Sequence, residues 1–598
     1  MSDRLHFNDM HSYQGFNEAA DLGDIIAPPS GDVLPRLSVW SLADALRRLP
    51  DDELALSLRT KLVPLISIPG LKLFAACDKS AQDMARADGL KVVAESSAAE
   101  FIDAARRAHG PRILDEATNG LARRTPQLSA SRRLTIGQTI VIAATALSLA
   151  VAIALLPGAF VWTLLSFMAG LFFLSVIALR LLCLMPRPRS VGESAPRLTD
   201  AELPAYSVLV PLFRETSVLG QLLNALTRLD YPVHKLDIKL ILEESDILMQ
   251  RALLTLPLPP QFDVLVVPSG KPQTKPRALN YALQFARGQL LTIFDAEDIP
   301  EPVQLRRAAE AFAVCPEDVA CLQAQLVFYN PNENWLTRQF TIEYATLFSL
   351  ILPALAAHHL PLPLGGTSNH FRTNILRRIG AWDPYNVTED ADLGMRLARL
   401  GYDTGTIEGR TYEEANVRLL NWIRQRARWM KGFLATWLVH MRDPRRAHAE
   451  LGPAGFWSMQ GMTLGVFASA LLHPFCMLAV VVVTVTMPPG QRLDHPSLIA
   501  LAGLSLLILV LGYAVTMIAG HRAIRDLGIS RWWLPILTMP AYWMLMSAAA
   551  WLALWQFIVA PFHWNKTEHG LSAFQRRRRK AKADRSKSIK RINHSYTD

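Results

Sequence analysis

"GQLLTIFDAEDIP" occupies residues 288–300. An apolar run from Leu290 to Phe294 ends in three acids within four positions: Asp295, Glu297 and Asp298. The uncharged run reads as a buried strand, and the acids fall just past its carboxyl end. Like charges this close repel one another, and apolar surroundings make their joint ionisation costly. A metal ion, a basic partner or water at the strand end would each compensate them.

The neighbouring sequence repeats the theme. Strand-like runs such as "YSVLVPLF" (206–213), "IKLILEES" (238–245) and "FDVLVVPS" (262–269) alternate with helical ones, "GQLLNALTRL" (220–229) and "RALNYALQFA" (277–286). That alternation predicts βαβ units and a mostly parallel sheet. Ligands of such sheets bind at the carboxyl ends of the strands, where the acids of 295–298 lie.

Beyond this region the chain turns apolar. Of its 598 residues, 51% are hydrophobic and 19% charged, against about 25% charged in soluble domains. Ile136–Leu156 carries no charge, and Gly158–Arg180 nearly none; further apolar tracts run through 456–487, 498–519 and 532–562. About 20 apolar residues span a bilayer, so an integral membrane protein is expected. The first 30 residues are polar and mixed in charge, unlike a secretory signal peptide. Arg132 and Arg133 flank one end of the first hairpin, and Arg180, Arg187 and Arg189 the other. The positive-inside rule places both flanks in the cytoplasm. Four spans are expected. The tract 532–562 is read as interfacial, because it holds six Trp and Tyr residues and crossing would export an arginine-rich tail.

The net charge is +10, and "RRRRKAKADRSKSIKR" (576–591) carries much of the excess. Beside a membrane, an anionic lipid surface is its expected partner rather than nucleic acid. Five cysteines, Cys77, Cys183, Cys315, Cys321 and Cys476, show no metal spacing and read as small buried hydrophobes in a reducing compartment.

These features divide the chain into a disordered start (1–36), a small α/β domain (37–115), a linker (116–133), a transmembrane hairpin (134–184) and a soluble α/β domain (200–440) ending in a membrane-interface helix (420–440). A transmembrane and interfacial region (453–570) and a basic cytoplasmic tail (571–598) follow. The small domain faintly resembles the N-terminal modules of secretion ATPases; a docking role is expected for it.

Four clusters in the soluble domain carry chemistry. They are Glu243-Glu244 at a strand end, Lys275 opening a helix, the acids of 295–298, and Glu389, Asp390 and Asp392 in "NVTEDADLG". A lysine at a helix N-terminus attracts phosphate. Carboxylates at strand ends suit Mg²⁺ or Mn²⁺ on a diphosphate, and a separate carboxylate could deprotonate an attacking hydroxyl. Any one of these clusters alone is an ordinary solvated turn. A fifth, "QRARW" (425–429), follows the T-E-D stretch.

D-x-E, T-E-D and Q-x-x-R-W together make residues 204–440 resemble the membrane-bound processive family 2 glycosyltransferases, such as cellulose, chitin and hyaluronan synthases. The resemblance implies a GT-A α/β domain inserted between transmembrane helices and a uridine diphosphate sugar donor, UDP-glucose by default. Carried over by position, Pro211, Glu215, Glu243, Glu244, Lys275, Asp295 and Arg428 would bind the nucleotide sugar, with Glu243 and Glu244 standing where the family has Asp. Asp295 and Glu297 would hold Mg²⁺ or Mn²⁺. Thr388, Glu389 and Asp390 match the T-E-D motif, whose Asp is the base of an inverting transfer. Gly365, Gly366 and Thr367, with Gln425, Arg426 and Trp429, would line the acceptor site. Lys566, Thr567 and His569 match a gating loop (562–570). Asp298 has no role in the motif and reads as a solvated turn acid.

The implied function is processive synthesis and translocation of a β-linked polysaccharide. The setting is a multi-pass protein of a bacterial inner membrane, its catalytic domain cytoplasmic, with room for an export partner. Two alternatives stay open: single transfer onto a lipid carrier, and a non-catalytic scaffold or receptor on the same fold.

Overall fold

The computed structural model describes residues 34–68, 71–185, 195–486, 496–529 and 532–560. In chain order, α1 (Val39–Arg47), α2 (Asp51–Thr60), β1 (Leu62–Ile68), β2 (Leu71–Ala76), α3 (Lys79–Ala87), β3 (Lys91–Glu95) and α4 (Ala98–Arg124) make the N-terminal module. Two apolar helices follow, α5 (Ile136–Leu155) and α6 (Gly158–Leu184). Next come β4 (Tyr206–Leu212), α7 (Leu219–Leu226), β5 (Leu236–Glu243), α8 (Ile247–Leu254), β6 (Phe262–Val267), α9 (Lys275–Leu283), β7 (Leu290–Ile293), β8 (Ile299–Pro300), α10 (Gln304–Val314) and β9 (Val319–Phe328). Then α11 (Trp335–Thr346) passes through a π-turn (Leu347–Ile351) into α12 (Leu352–Ala357), followed by β10 (Asn369–Arg372), α13 (Thr373–Arg378), α14 (Glu389–Arg399), β11 (Asp403–Glu413) and α15 (Leu419–His440). The remainder is helical: α16 (Pro444–Gln460), α17 (Val466–Thr486), α18 (Pro496–Asp526), α19 (Trp533–Leu537) and α20 (Met539–Val559).

The chain divides into two compact units. The first comprises residues 1–120, 204–214 and 232–291; the second holds the rest, the boundary falling inside β7. In the first unit, β1 and β2 pair antiparallel and β2 and β3 parallel. Its other strands run parallel in the order β6-β5-β4. β5 is buried along its whole length, as expected of an interior strand covered on both faces. In the second unit the order is β7-β10-β9-β11-β8. There β9 pairs antiparallel with β10 and parallel with β11, while β8 pairs antiparallel with β11. The sheet is therefore mixed, and its parallel ladders match the expected βαβ reading.

Helix α4 extends to Arg124, so the first part of the expected linker 116–133 is helical. The helix continues through Pro111. Among the described residues, six helices are long and apolar enough to cross a membrane: Ile136–Leu155, Thr163–Leu184, Trp335–Ala357, Pro444–Leu478, Gly503–Asp526 and Met539–Val559. The first has no buried residue, leaving its apolar surface for lipid. Two go beyond the four expected spans. Trp335–Ala357 escaped notice because Arg338, Gln339 and Glu343 interrupt it, and 61% of its apolar window is buried in protein. Met539–Val559 is the helix within 532–562. It packs Ala550 and Ala553 against Ala427, Met430 and Leu434 of α15.

Cys77, Cys183, Cys315 and Cys321 are buried and Cys476 is half-buried, matching the reading as small buried hydrophobes. The basic tail and the residues Lys566, Thr567 and His569 lie outside the described residues.

Candidate active site

In the second unit, β7 delivers the D-x-E turn. Asp295 and Glu297 are half-buried, but Asp298 is fully buried. This corrects the solvated reading of Asp298. Its Oδ2 accepts the Asp295 backbone N–H at 2.7 Å, and the Thr367 hydroxyl lies within hydrogen-bonding reach of the same oxygen. Asp298 Oδ1 is buried with no hydrogen-bond partner. Burial, with Asp295 and Glu297 beside it, pushes the Asp298 carboxyl well above its ordinary range. The Thr367 hydroxyl also lies 3.0 Å from the Ile293 carbonyl.

Thr367 belongs to the expected acceptor segment. Gly365 N–H donates to Gln323 Oε1 at 2.8 Å. A side chain at Gly365 would press on Phe348, 3.0 Å from the added carbon. Buried Ser368 sits at φ 56°, donating its N–H to the Ile293 carbonyl at 2.8 Å. A left-handed conformation is costly for a residue with a side chain and persists only where its surroundings hold it.

The T-E-D motif opens α14, with Glu389, Asp390 and Asp392 in the first turn. Negative charge there is favoured by the helix dipole. Thr388 and Glu389 are buried and Asp390 is half-buried. Beneath this turn, buried Asp392 meets His440 Nε2 at 3.2 Å and Arg396 at 3.4 Å. Arg399 donates to His440 Nδ1 at 3.2 Å. His440 is the last residue of α15, so this buried network ties α14 to the Q-x-x-R-W helix. Burial lowers the His440 pKa even with Asp392 beside it.

Along α15 the signature residues separate. Arg428 is half-buried; burial lowers its guanidinium, while Glu389, Asp295, Asp390 and Glu297 each raise it. One arginine thus sits in the field of both acidic motifs. Arg426 instead makes a bidentate pair with Glu343, at 2.7 and 2.5 Å, and Tyr542 donates to the same carboxylate at 2.5 Å. Its guanidinium lies 4.3 Å from the Trp429 ring centre and 4.4 Å from that of Phe340. The Trp429 ring stacks near Tyr344, with centroids 6.0 Å apart at 26°. Gln425 Oε1 accepts from Asn416 at 2.7 Å. Two residues beyond the signature also matter. Buried Lys431 has its pKa lowered to about 8, first by burial and then by Arg428. Gly432 lets the helix backbone approach Thr388.

The residues expected at the nucleoside lie mostly in the first unit. Pro211 ends near the tip of β4, and Glu243 ends β5. Glu243 is buried against Arg277, 2.6 Å away; burial raises its carboxyl and Arg277 opposes this. Glu244 accepts the Ser269 N–H at 2.9 Å, which lowers its pKa. Lys275 is the first residue of α9. Glu215, in the second unit, precedes α7.

The residues fit a divalent ion. Among the described residues no three His, Cys, Asp or Glu side chains converge to enclose a metal. Asp295 and Glu297 offer two carboxylates, the number Mg²⁺ or Mn²⁺ takes when substrate phosphate and water complete the shell. The unpartnered Oδ1 of Asp298 beside them shows that the protein alone does not satisfy this turn.

Sequence reasoning misplaced Asp298 and assigned no part to Ser368, Glu343, Tyr542, Lys431 or His440 in this region. Glu343 had a signal, being a single acid within the apolar "FTIEYATLF" (340–348).

Residues 290–564 match the family described as "Glycosyl transferase family group 2". The chain is 27% identical over 284 residues to beta-monoglucosyldiacylglycerol synthase of Synechocystis, covering 45% of this chain and 56% of that protein. It is 24% identical over 240 residues to "Probable glucomannan 4-beta-mannosyltransferase 15" of Arabidopsis thaliana, covering 36% and 42% respectively. The chain thus spans about half the length of these curated relatives. Among solved structures, it is similar to the mannosyltransferase PcManGT of Pyrobaculum calidifontis, in complex with GDP-Man and Mn²⁺. That likeness has 18% identity and a TM-score of 0.42, covering 69% of this chain and 98% of that one. The mixed sheet carries acids at its strand ends, and residues 290–564, somewhat less than half of the chain, are similar to the family 2 glycosyltransferases.

Proposed function

We propose that the chain transfers a hexosyl group from a nucleoside diphosphate sugar, UDP-glucose by default, to a growing β-linked polysaccharide. In this reading it passes the product through its own apolar helices. The carrying observation is Arg428, which sits in the field of Asp295, Glu297, Glu389 and Asp390. Both acidic motifs and the signature arginine therefore meet in one place.

Asp390 accepts the proton of the acceptor hydroxyl as that oxygen attacks the anomeric carbon. The bond to the diphosphate breaks on the opposite face, so the configuration inverts. Arg428 holds the departing diphosphate with charge-assisted hydrogen bonds. Asp295 and Glu297 would hold Mg²⁺ or Mn²⁺, which would supply Lewis-acid neutralisation of the leaving diphosphate. Trp429 offers its ring face to the acceptor sugar. The arginines flanking the first hairpin favour a cytoplasmic active site in a multi-pass protein of the bacterial inner membrane.

A second reading is single transfer to a lipid acceptor. It is favoured by the similarity to beta-monoglucosyldiacylglycerol synthase over 45% of the chain. Membranes carrying the protein, given radiolabelled UDP-glucose with Mg²⁺ or Mn²⁺, separate the two. A long product cut by β-linkage-specific hydrolases supports the polysaccharide reading, and a monoglycosylated lipid as sole product overturns it. Asp390→Asn turning over donor at the wild-type rate would remove Asp390 from the role of base.

A further inference from the structure

The N-terminal module is fastened to the donor side by buried charge. Lys61, at a left-handed φ of 58° after α2, is 6% exposed. Its Nζ lies 2.8 Å from Asp78 of its own module and 2.7 Å from Asp263 on β6. Lys239 on β5 continues the ladder, 2.6 Å from both Asp263 and Asp237. From the far end, Arg287 pairs with Asp237 at 3.8 Å and donates to Ser80 at the start of α3. Removing one partner from such a set leaves an uncompensated buried charge, so the junction is sensitive to a single substitution.

This footing directs α4 along the nucleoside-side residues. Arg106 lies 3.7 Å from Glu244. The Ala117 carbonyl accepts from buried Asn280, on the helix that Lys275 opens, at 2.9 Å. A methyl group built on Gly270 would come within 3.3 Å of Leu114 and 2.6 Å of Arg277, the partner of Glu243. Three points along α4 thus touch Glu244, the 268–274 turn and α9.

We propose that α4 is the outer wall of the donor-nucleoside site, with Arg106 a positioning residue for Glu244, so that the N-terminal module sets donor affinity within its own chain. This rests on the glycosyltransferase reading above. It gives the module a task that needs no external partner. A wall that positions recognition groups acts on substrate binding more than on the chemical step, so its signature is a split between KM and kcat.

The full-length protein in detergent or nanodiscs supplies the test, with Arg106→Ala, Arg106→Lys and Lys61→Met beside wild type. Arg106→Ala should raise the donor KM about two- to fivefold, the range of a partly exposed ion pair. Its kcat and acceptor KM should hold, and Arg106→Lys should restore most of the loss. Lys61→Met should raise the donor KM further. Without donor, both Arg106→Ala and Lys61→Met should speed hydrogen exchange over residues 268–283. Folded Arg106→Ala with unchanged donor KM and unchanged exchange would overturn the proposal, whatever Lys61→Met does to folding. A wild-type protein that turns over no nucleotide sugar would instead overturn the glycosyltransferase reading, and the exchange comparison would still decide the wall.

Discussion

Gly432 of α15 and Thr388 of the T-E-D motif are in backbone-to-side-chain contact. A methyl group placed on Gly432 would lie 2.3 Å from both Cγ2 and Oγ1 of Thr388. Since the nearest atoms are the first atoms of a short, buried side chain, the helix must move rather than the threonine. Gly432→Ala should lower kcat by about 10²-fold, the cost of displacing a catalytic group by about an ångström. A steady-state assay paired with a thermal melt checks this; full activity in a folded variant would refute the contact's importance.

Arg428 carries the positive charge facing four carboxylates. Arg428→Gln should lower kcat/KM for the donor by about 10²–10³-fold, as with other lost transition-state donors. Kinetics at saturating Mg²⁺ or Mn²⁺ would show it. Arg428→Lys should recover part of the charge but not the forked geometry.

Asp298 accepts from the Asp295 backbone and meets Thr367, while its charge is opposed by Asp295 and Glu297. Asp298→Asn keeps polar atoms in place without the charge and should leave activity within a few-fold of wild type. Asp298→Ala strands two buried groups and should cost about 1–3 kcal/mol of stability each. Chemical denaturation of the two variants, run side by side, tests the contrast.

Lys431 has a folded-state pKa of about 8, below its ordinary 10.5. The folded state therefore binds fewer protons than the unfolded state between those values. Stability contributed by this group should rise as pH increases from about 8 toward 10.5, and its penalty is fully present below 8. Lys431→Met should flatten that rise. Melts between pH 7 and 10 read it directly.

Much of this architecture is legible in the sequence because it rests on local signals. The runs of 206–213, 238–245 and 262–269 are rich in Val, Ile and Leu, and they became β4, β5 and β6. The acids of 295–298 fall just past the end of β7, as expected; the T-E-D acids open α14, which their spacing does not indicate. What stayed hidden depends on long-range closure. Asp298 reads as solvated because only the fold brings Thr367, 69 residues away in sequence, against it. Arg426 reads as an acceptor residue, but Glu343 and Tyr542, 83 and 116 residues away, surround it. Trp335–Ala357 hides as a membrane-length helix because its polar residues find buried partners; Gln339 donates to the Pro535 carbonyl at 2.6 Å.

The Arg426–Glu343–Tyr542 knot also has a mechanical side. Glu343 and Tyr542 sit on the helices Trp335–Ala357 and Met539–Val559, both long and apolar enough to cross a membrane. Arg426 stands two residues before Arg428 on the signature helix. Helices in a bilayer tilt to match its hydrocarbon thickness. Where these two lie in lipid, a change in their tilt becomes a torque on the helix that carries Arg428. Acyl-chain length thereby bears on the placement of Arg428 between the two acidic motifs.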